Sequence, residues 1–108
     1  MSLSVTQGVQ KQGREKKVQL KIQQQIGGEI EVKVPCGYID NLTDHFLVEV
    51  KTARRYKNAI GQVMAYGVYH PKCWKVIALY DYEKINRKVV ENVCCALDIE
   101  VWWRNEGD

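Results

Sequence analysis

The chain has 108 residues and a mass of 12.5 kDa, room for one packed domain and not two. Apolar residues at 45% and charged residues at 27% are ordinary for a globular chain, which excludes the collagen-like, disordered and membrane-embedded classes. The net charge of +3 is too mild to mark a nucleic-acid binder, but it is unevenly spread: +4 over residues 1–28, −3 over 29–53, +5 over 54–75 and −3 over 76–108. The first thirteen residues, polar and carrying Gly8 and Gly13, read as a loose N-terminal tail, leaving residues 14–108 as the domain. From Arg14 to Ile26, Val18, Ile22 and Ile26 recur every four residues and predict a helix closed by Gly27 and Gly28. Ile30, Val32 and Val34 alternate with charges, the pattern of a half-buried strand that Pro35 ends.

Gly37–Leu42 and Phe46–Thr52 read as two strands of a hairpin around the polar turn Asn41, Thr43 and Asp44. A second helix is expected from Ala53 to about Tyr69, with Tyr56, Ile60, Val63, Met64 and Gly67 on its apolar face and Pro71 just beyond. Trp74–Tyr80 is a strongly apolar strand. Val89, Val90, Val93, Cys94 and Leu97 mark a third helix, and Ile99–Trp103 a last strand. Crossovers of one hand place the parallel strands beside the hairpin, so an α/β fold is expected with a mixed central sheet flanked by helices.

The N-terminus lacks the apolar core of a signal peptide, which predicts an intracellular protein, in the cytoplasm, nucleoid or nucleus. In that setting Cys36, Cys73, Cys94 and Cys95 are expected as reduced thiols. They show no Cys-x-x-Cys spacing and no clustering with His45 or His70, so no structural zinc is expected. The histidines read as a surface residue and a helix C-terminal cation. Thiol redox chemistry at Cys94 and Cys95 is a poor fit, because adjacent helical cysteines cannot close an unstrained disulfide.

The chemistry gathers elsewhere. Glu49 and Lys51 lie two apart on one strand and so share a face, holding a carboxylate beside an ammonium. Asp40, nine positions earlier on the other arm of the hairpin, brings a second carboxylate close. Two such acids repel unless a cation joins them, and Mg²⁺, which commonly takes one or two protein carboxylates, suits the pair. Gln62 and Tyr66 lie four apart on a flank of the second helix that leans over these strand ends.

Ile39-Asp40, Glu49-Val50-Lys51 and Gln62-Val63-Met64-Ala65-Tyr66 together resemble the PD-(D/E)XK nuclease superfamily. The likeness is to its Gln-x-x-x-Tyr branch, which includes RecB-like and lambda-exonuclease-like nucleases. The resemblance runs from about Arg14 to Trp103, with Ile39 where the family name has Pro. It implies a restriction-endonuclease-like core of order α-β-β-β-α-β and a metal-dependent deoxyribonuclease. Asp40, Glu49 and the carbonyl of Val50 would hold Mg²⁺, or Mn²⁺ in its place, and Lys51 would orient the attacking water. Many relatives also bring a helix-one glutamate to the metal, which points to Glu15. Gln62 and Tyr66 would position the DNA backbone or buttress the site, and Arg54, Arg55 and Lys57 would bind flanking phosphates. The uncovered edge of the last strand, with Trp102 and Trp103 on opposite faces, suggests a homodimer cutting both strands of a duplex. The alternative is a catalytically silent module of the same fold that binds nucleic acid or protein.

Overall fold

A computed structural model describes residues 13–105. Along them run α1 (Arg14–Ile26), β1 (Glu29–Val34), β2 (Gly37–Leu42), β3 (Phe46–Thr52), a 3-10 turn (Ala53–Arg55), α2 (Tyr56–Gly67), β4 (Trp74–Tyr80), α3 (Arg87–Ala96) and β5 (Ile99–Trp103). This is the predicted order of helices and strands. The expected loose tail lies outside the described residues, except for Gly13, which caps α1.

The five strands form one sheet in chain order, β1-β2-β3-β4-β5. The pairs β1–β2 and β2–β3 are antiparallel, while β3–β4 and β4–β5 are parallel. Each parallel pair is joined through a helix, and right-handed crossovers put both helices on the same side. The two packed clusters follow this division. On one face Val18 and Ile22 of α1 meet Val48, Val50, Val76, Ala78 and Tyr80. On the other, Ala59, Val63 and Tyr66 of α2 and Val90 and Cys94 of α3 meet Ile39, Leu47, Ile77, Leu79 and Ile99.

With both faces covered, β3 and β4 bury every side chain from Leu47 to Val50 and from Val76 to Tyr80. Strands buried on both faces carry near-continuous apolar runs, as these do. Each buried Val, Leu or Ile contributes about 1.5–3 kcal/mol relative to exposure. The single carboxylate among these nine positions is Glu49. At the hinge between α1 and β1, Gly27 and Gly28 adopt φ of 78° and 83°, and a Cβ at Gly28 would strike the carbonyl of Leu42. Glycine there lets the chain reverse tightly against the end of β2.

Three packing expectations need correction. Met64 is exposed, because α2 turns Ala59, Val63, Tyr66 and Gly67 inward instead. On α3 only Val90 and Cys94 are buried, while Val89, Val93 and Leu97 face outward. A helix lying over a five-residue edge strand covers a narrow strip, so one row of its apolar face enters the core. The second helix also stops at Gly67, and Val68 and Tyr69 continue as turns. Asn86 begins α3 by accepting a bond from the Val89 amide at 3.3 Å, an ordinary N-cap.

All four cysteines are free thiols. Among the described residues no helix is long and apolar enough to cross a membrane. Trp102 and Trp103 do point to opposite faces. Trp102 meets Phe46 edge-on at 5.3 Å, and Trp103 meets Tyr82 at 5.5 Å beneath the Arg87 guanidinium.

Candidate active site

The β2–β3 ladder pairs Leu42 with Leu47 and Asn41 with Val48, and ends there. At the next level the side chains of Asp40 and Glu49 take over, both only 2% exposed. The Asp40 amide donates to Glu49 Oε2 at 2.8 Å, and the Val50 amide donates to Asp40 Oδ2 at 2.8 Å. Each acid thus accepts a peptide N–H from the opposite strand. These charge-assisted bonds offset part of the cost of holding two carboxylates in a dry place.

The other flank of Asp40 is irregular as well. The β1–β2 ladder pairs Ile30 with Asn41 and Val32 with Ile39, stepping over Glu31 and Asp40. Glu31 has a φ of 54°, a left-handed conformation that is uncommon outside glycine. The carbonyl of Asp40 accepts from Gln19 Nε2 at 2.9 Å, and the same amide donates to Glu31 Oε2 at 2.8 Å. Asn41 Nδ2 in turn donates to the Gln19 carbonyl at 3.1 Å. Ile39 and Leu42, three residues apart, pack into the same cluster, so strict alternation is broken around Asp40.

Lys51 follows Glu49 on the face that carries Leu47, and it is half-buried. Tyr66 of α2 closes over this face. A Cβ at Gly37 would lie 2.5 Å from the Tyr66 hydroxyl, so the tyrosine sits hard against the β1–β2 turn. Burial pushes its pKa above 10.0, and the negative charges of Glu49, Cys36 and Asp40 push the same way, opposed by a hydrogen bond from the Tyr38 backbone. The hydroxyl therefore stays protonated beside the acid pair. One turn earlier, Gln62 Oε1 is buried without a hydrogen-bond partner, as is Thr52 Oγ1 at the end of β3.

Arg54 and Arg55 occupy the 3-10 turn directly after β3, with Lys57 one residue into α2. All three are exposed. The first turn of α2 contains no acid, so these cations stand where the helix dipole is already positive. Positive potential is thereby concentrated beside Lys51.

Glu15 meets Tyr80, whose hydroxyl donates to Glu15 Oε1 at 3.4 Å. The α1 residue that reaches Asp40 is Gln19, one turn further on. Gln19, Glu31 and Asn41 were not among the expected site residues. The available signal was a glutamine beside Val18 on the buried stripe, where an amide requires partners. His45 is exposed in the β2–β3 turn, and His70 follows α2. Concavities of about 410 and 440 Å³ flank that turn, and neither is lined by Asp40, Glu49 or Lys51. The acids therefore lie away from both hollows, toward the opposite end of β3.

Among the described residues no group of three or more His, Cys, Asp or Glu side chains converges. The oxygens that the nuclease resemblance would assign to a metal are two carboxylates and, adjacent in sequence, the carbonyl of Val50. Hard oxygens of this kind fit Mg²⁺, which keeps most of its waters.

Three mimivirus proteins resemble this chain. KilA-N domain-containing protein R878 of Acanthamoeba polyphaga mimivirus is 37% identical over 97 residues, which is 90% of this chain and 27% of the relative. Protein L33 of the same virus, named likewise, is 36% identical over 88 residues, 82% of this chain and 36% of its own length. Protein L32, again so named, is 40% identical over 73 residues, 68% of this chain and 20% of its own length. The chain thus spans between a fifth and about a third of these relatives. No family model matches the sequence, and no solved structure matches the fold.

Proposed function

We propose that this domain is a metal-dependent deoxyribonuclease on a restriction-endonuclease-like core. The observation that carries the reading is the buried pair Asp40 and Glu49, bonded crosswise to the amides of Val50 and Asp40, with Lys51 on Glu49's face. Asp40, Glu49 and the Val50 carbonyl would hold Mg²⁺ or Mn²⁺, which when bound polarises a scissile phosphate and lowers the pKa of water. Lys51 orients the attacking water and offsets the charge that builds on the phosphoryl oxygens. Tyr66, kept neutral, offers a hydrogen bond to a phosphate oxygen. Gln62 fixes the nucleotide backbone or braces the helix that carries Tyr66. Arg54, Arg55 and Lys57 bind the flanking phosphates and set the register of the strand.

The names of the mimivirus relatives refer to a KilA-N domain and to no hydrolytic activity, so hydrolysis rests on the site and on the motif resemblance. A second reading has its own observation. Asp40 Oδ2 and Glu49 Oε2 both accept peptide amides, so the same two acids can serve as braces in a module that binds DNA without cutting it. A panel of duplex, nicked, flapped and single-stranded DNA incubated with Mg²⁺, Mn²⁺ or chelator separates the two. Cleavage that requires the cation supports the nuclease. Binding with no cleavage in either metal supports the silent module.

The assembly proposed with this activity is a homodimer. β5 is an edge strand of the sheet, and a second copy joined there gives one site for each strand of a duplex. Light scattering at micromolar concentration tests it: a mass of 12.5 kDa that stays unchanged on adding DNA refutes the dimer.

A further inference from the structure

At Asp40 the sheet lets go of its own strand. The β2–β3 ladder has ended at Asn41↔Val48, and the β1–β2 ladder steps over Glu31 and Asp40. The Asp40 N–H goes to the Glu49 carboxylate, and its carbonyl is met by Gln19 Nε2 from a different element, α1. Gln19 is fully buried, and its second N–H is anchored on Glu31. Asn41 grips the Gln19 main chain in return, so the contact is locked from both ends.

We propose that Gln19 is the positioning residue of the acid pair: by holding the Asp40 carbonyl from behind, it fixes the main chain from which the Asp40 carboxylate reaches across to β3. The inference rests on the nuclease reading for its catalytic consequence, though not for its geometry. The physical reason is the loss of ladder bonding. A strand residue whose N–H and C=O are both taken by a neighbouring backbone needs no other support, whereas both groups of Asp40 are met by side chains, and these hold its φ and ψ in place of the ladder. Gln19 supplies an amide because an N–H donor is what a carbonyl requires. The unusual conformation of Glu31 keeps its carboxylate beside that amide. Outer-shell partners of this type typically change metal affinity or rate by 10- to 100-fold when removed.

Two variants test the proposal in the intact chain. Gln19→Met keeps length and volume but donates nothing. Glu31→Ala, at an exposed position, removes the outer anchor without disturbing the core, and so serves if the buried change impairs folding. Amide hydrogen exchange is followed by NMR at Asp40 and Val50, with Val76 and Ile77 in β4 as references. The expected result is exchange about tenfold faster at Asp40 and Val50 than any change at the references, with a smaller effect of the same sign in Glu31→Ala. Equal acceleration at all four amides, or none, overturns the role of Gln19. In parallel, Gln19→Met is expected to lower kcat by 10- to 100-fold with KM for a DNA duplex unchanged. A raised KM with unchanged kcat also overturns it. A wild-type chain that cleaves nothing with Mg²⁺ or Mn²⁺ sinks the nuclease reading alone, since the exchange data still decide whether Gln19 holds Asp40.

Discussion

Replacing Glu49 separates its two roles, because the charge and the hydrogen-bond acceptor can be removed independently. Glu49→Gln keeps an oxygen for the Asp40 amide and places an NH₂ group toward the neighbouring acid, so stability should change by no more than about 1 kcal/mol. Glu49→Ala leaves the buried Asp40 N–H without its acceptor, which costs about 1–3 kcal/mol. It also opens a void next to a core in which Leu47, Val48, Val50 and Ile77 are wholly buried. A total of about 2–4 kcal/mol corresponds to a fall in Tm of roughly 10–25 °C for a domain of this size. Thermal melts by circular dichroism, with and without Mg²⁺, measure both roles. On the proposed reading, Mg²⁺ at a hundred times its Kd should stabilise the wild type by about 2.7 kcal/mol and do little for Glu49→Gln, which should also be inactive on DNA. Wild-type cleavage by Glu49→Gln removes the proposed metal ligand. A Tm for Glu49→Ala within about 2 °C of the wild type, against the 10 °C or more worked out above, refutes the bracing role.

Lys51→Ala should abolish cleavage while shifting Tm by only a few degrees, since Lys51 is half-buried and belongs to neither apolar cluster; measurable turnover by a folded Lys51→Ala protein counts against its role in the chemistry. Arg54→Ala and Arg55→Ala should each weaken DNA binding and lower the slope of log affinity against log salt by about 1, read by fluorescence anisotropy. A salt-independent affinity points instead to a protein partner. The raised pKa of Tyr66 carries a pH dependence. Above the ordinary value of 10.0 the unfolded tyrosine loses a proton that the folded one keeps, so its contribution is full below that pH and fades as pH climbs toward the folded value. Tyr80 is shifted in the same direction, chiefly by burial. Tyr66→Phe should therefore make the alkaline loss of stability shallower without abolishing it; urea midpoints measured between pH 8 and pH 11 that superimpose on the wild type would sink the idea.

Regular elements were legible in the sequence because each carries a strong local signal. The Val18–Ile22 spacing, the alternation Ile30–Val32–Val34 and the apolar run Trp74–Tyr80 all became the elements they implied. Depth of burial was less legible. Helical periodicity identifies an apolar face but not the width of sheet available to cover it: of the five apolar residues that mark α3, Val90 and Cys94 are buried, while Val89, Val93 and Leu97 are exposed. The pairing of Asp40 with Glu49 could be read from hairpin register, since both positions derive from one turn. The support behind Asp40 could not. Gln19 and Glu31 reach it through a break in the β1–β2 ladder and a left-handed residue, and neither feature leaves a periodic trace in the chain. Gln62 and Tyr66 were placed by their four-residue spacing, while the seat of Tyr66 against Gly37 depends on a tertiary approach that no local pattern encodes.

The opposite orientations of Trp102 and Trp103 give the molecule a built-in pair of optical reporters. Trp102 lies with the α1 layer against Phe46, whereas Trp103 lies with the other layer, between Tyr82 and the Arg87 guanidinium 4.8 Å away. The indoles differ in hydrogen bonding as well, Trp102 donating to Glu100 and Trp103 to Glu91. Trp74 is 64% exposed and supplies a solvent-facing reference. Replacing two of the three by phenylalanine leaves a single emitter on a chosen side of the sheet, so the detachment of α1 and the loosening of α2 and α3 can be timed separately. Coincident transitions at all three positions would show the two layers coming apart together, and separate ones would show which leaves first.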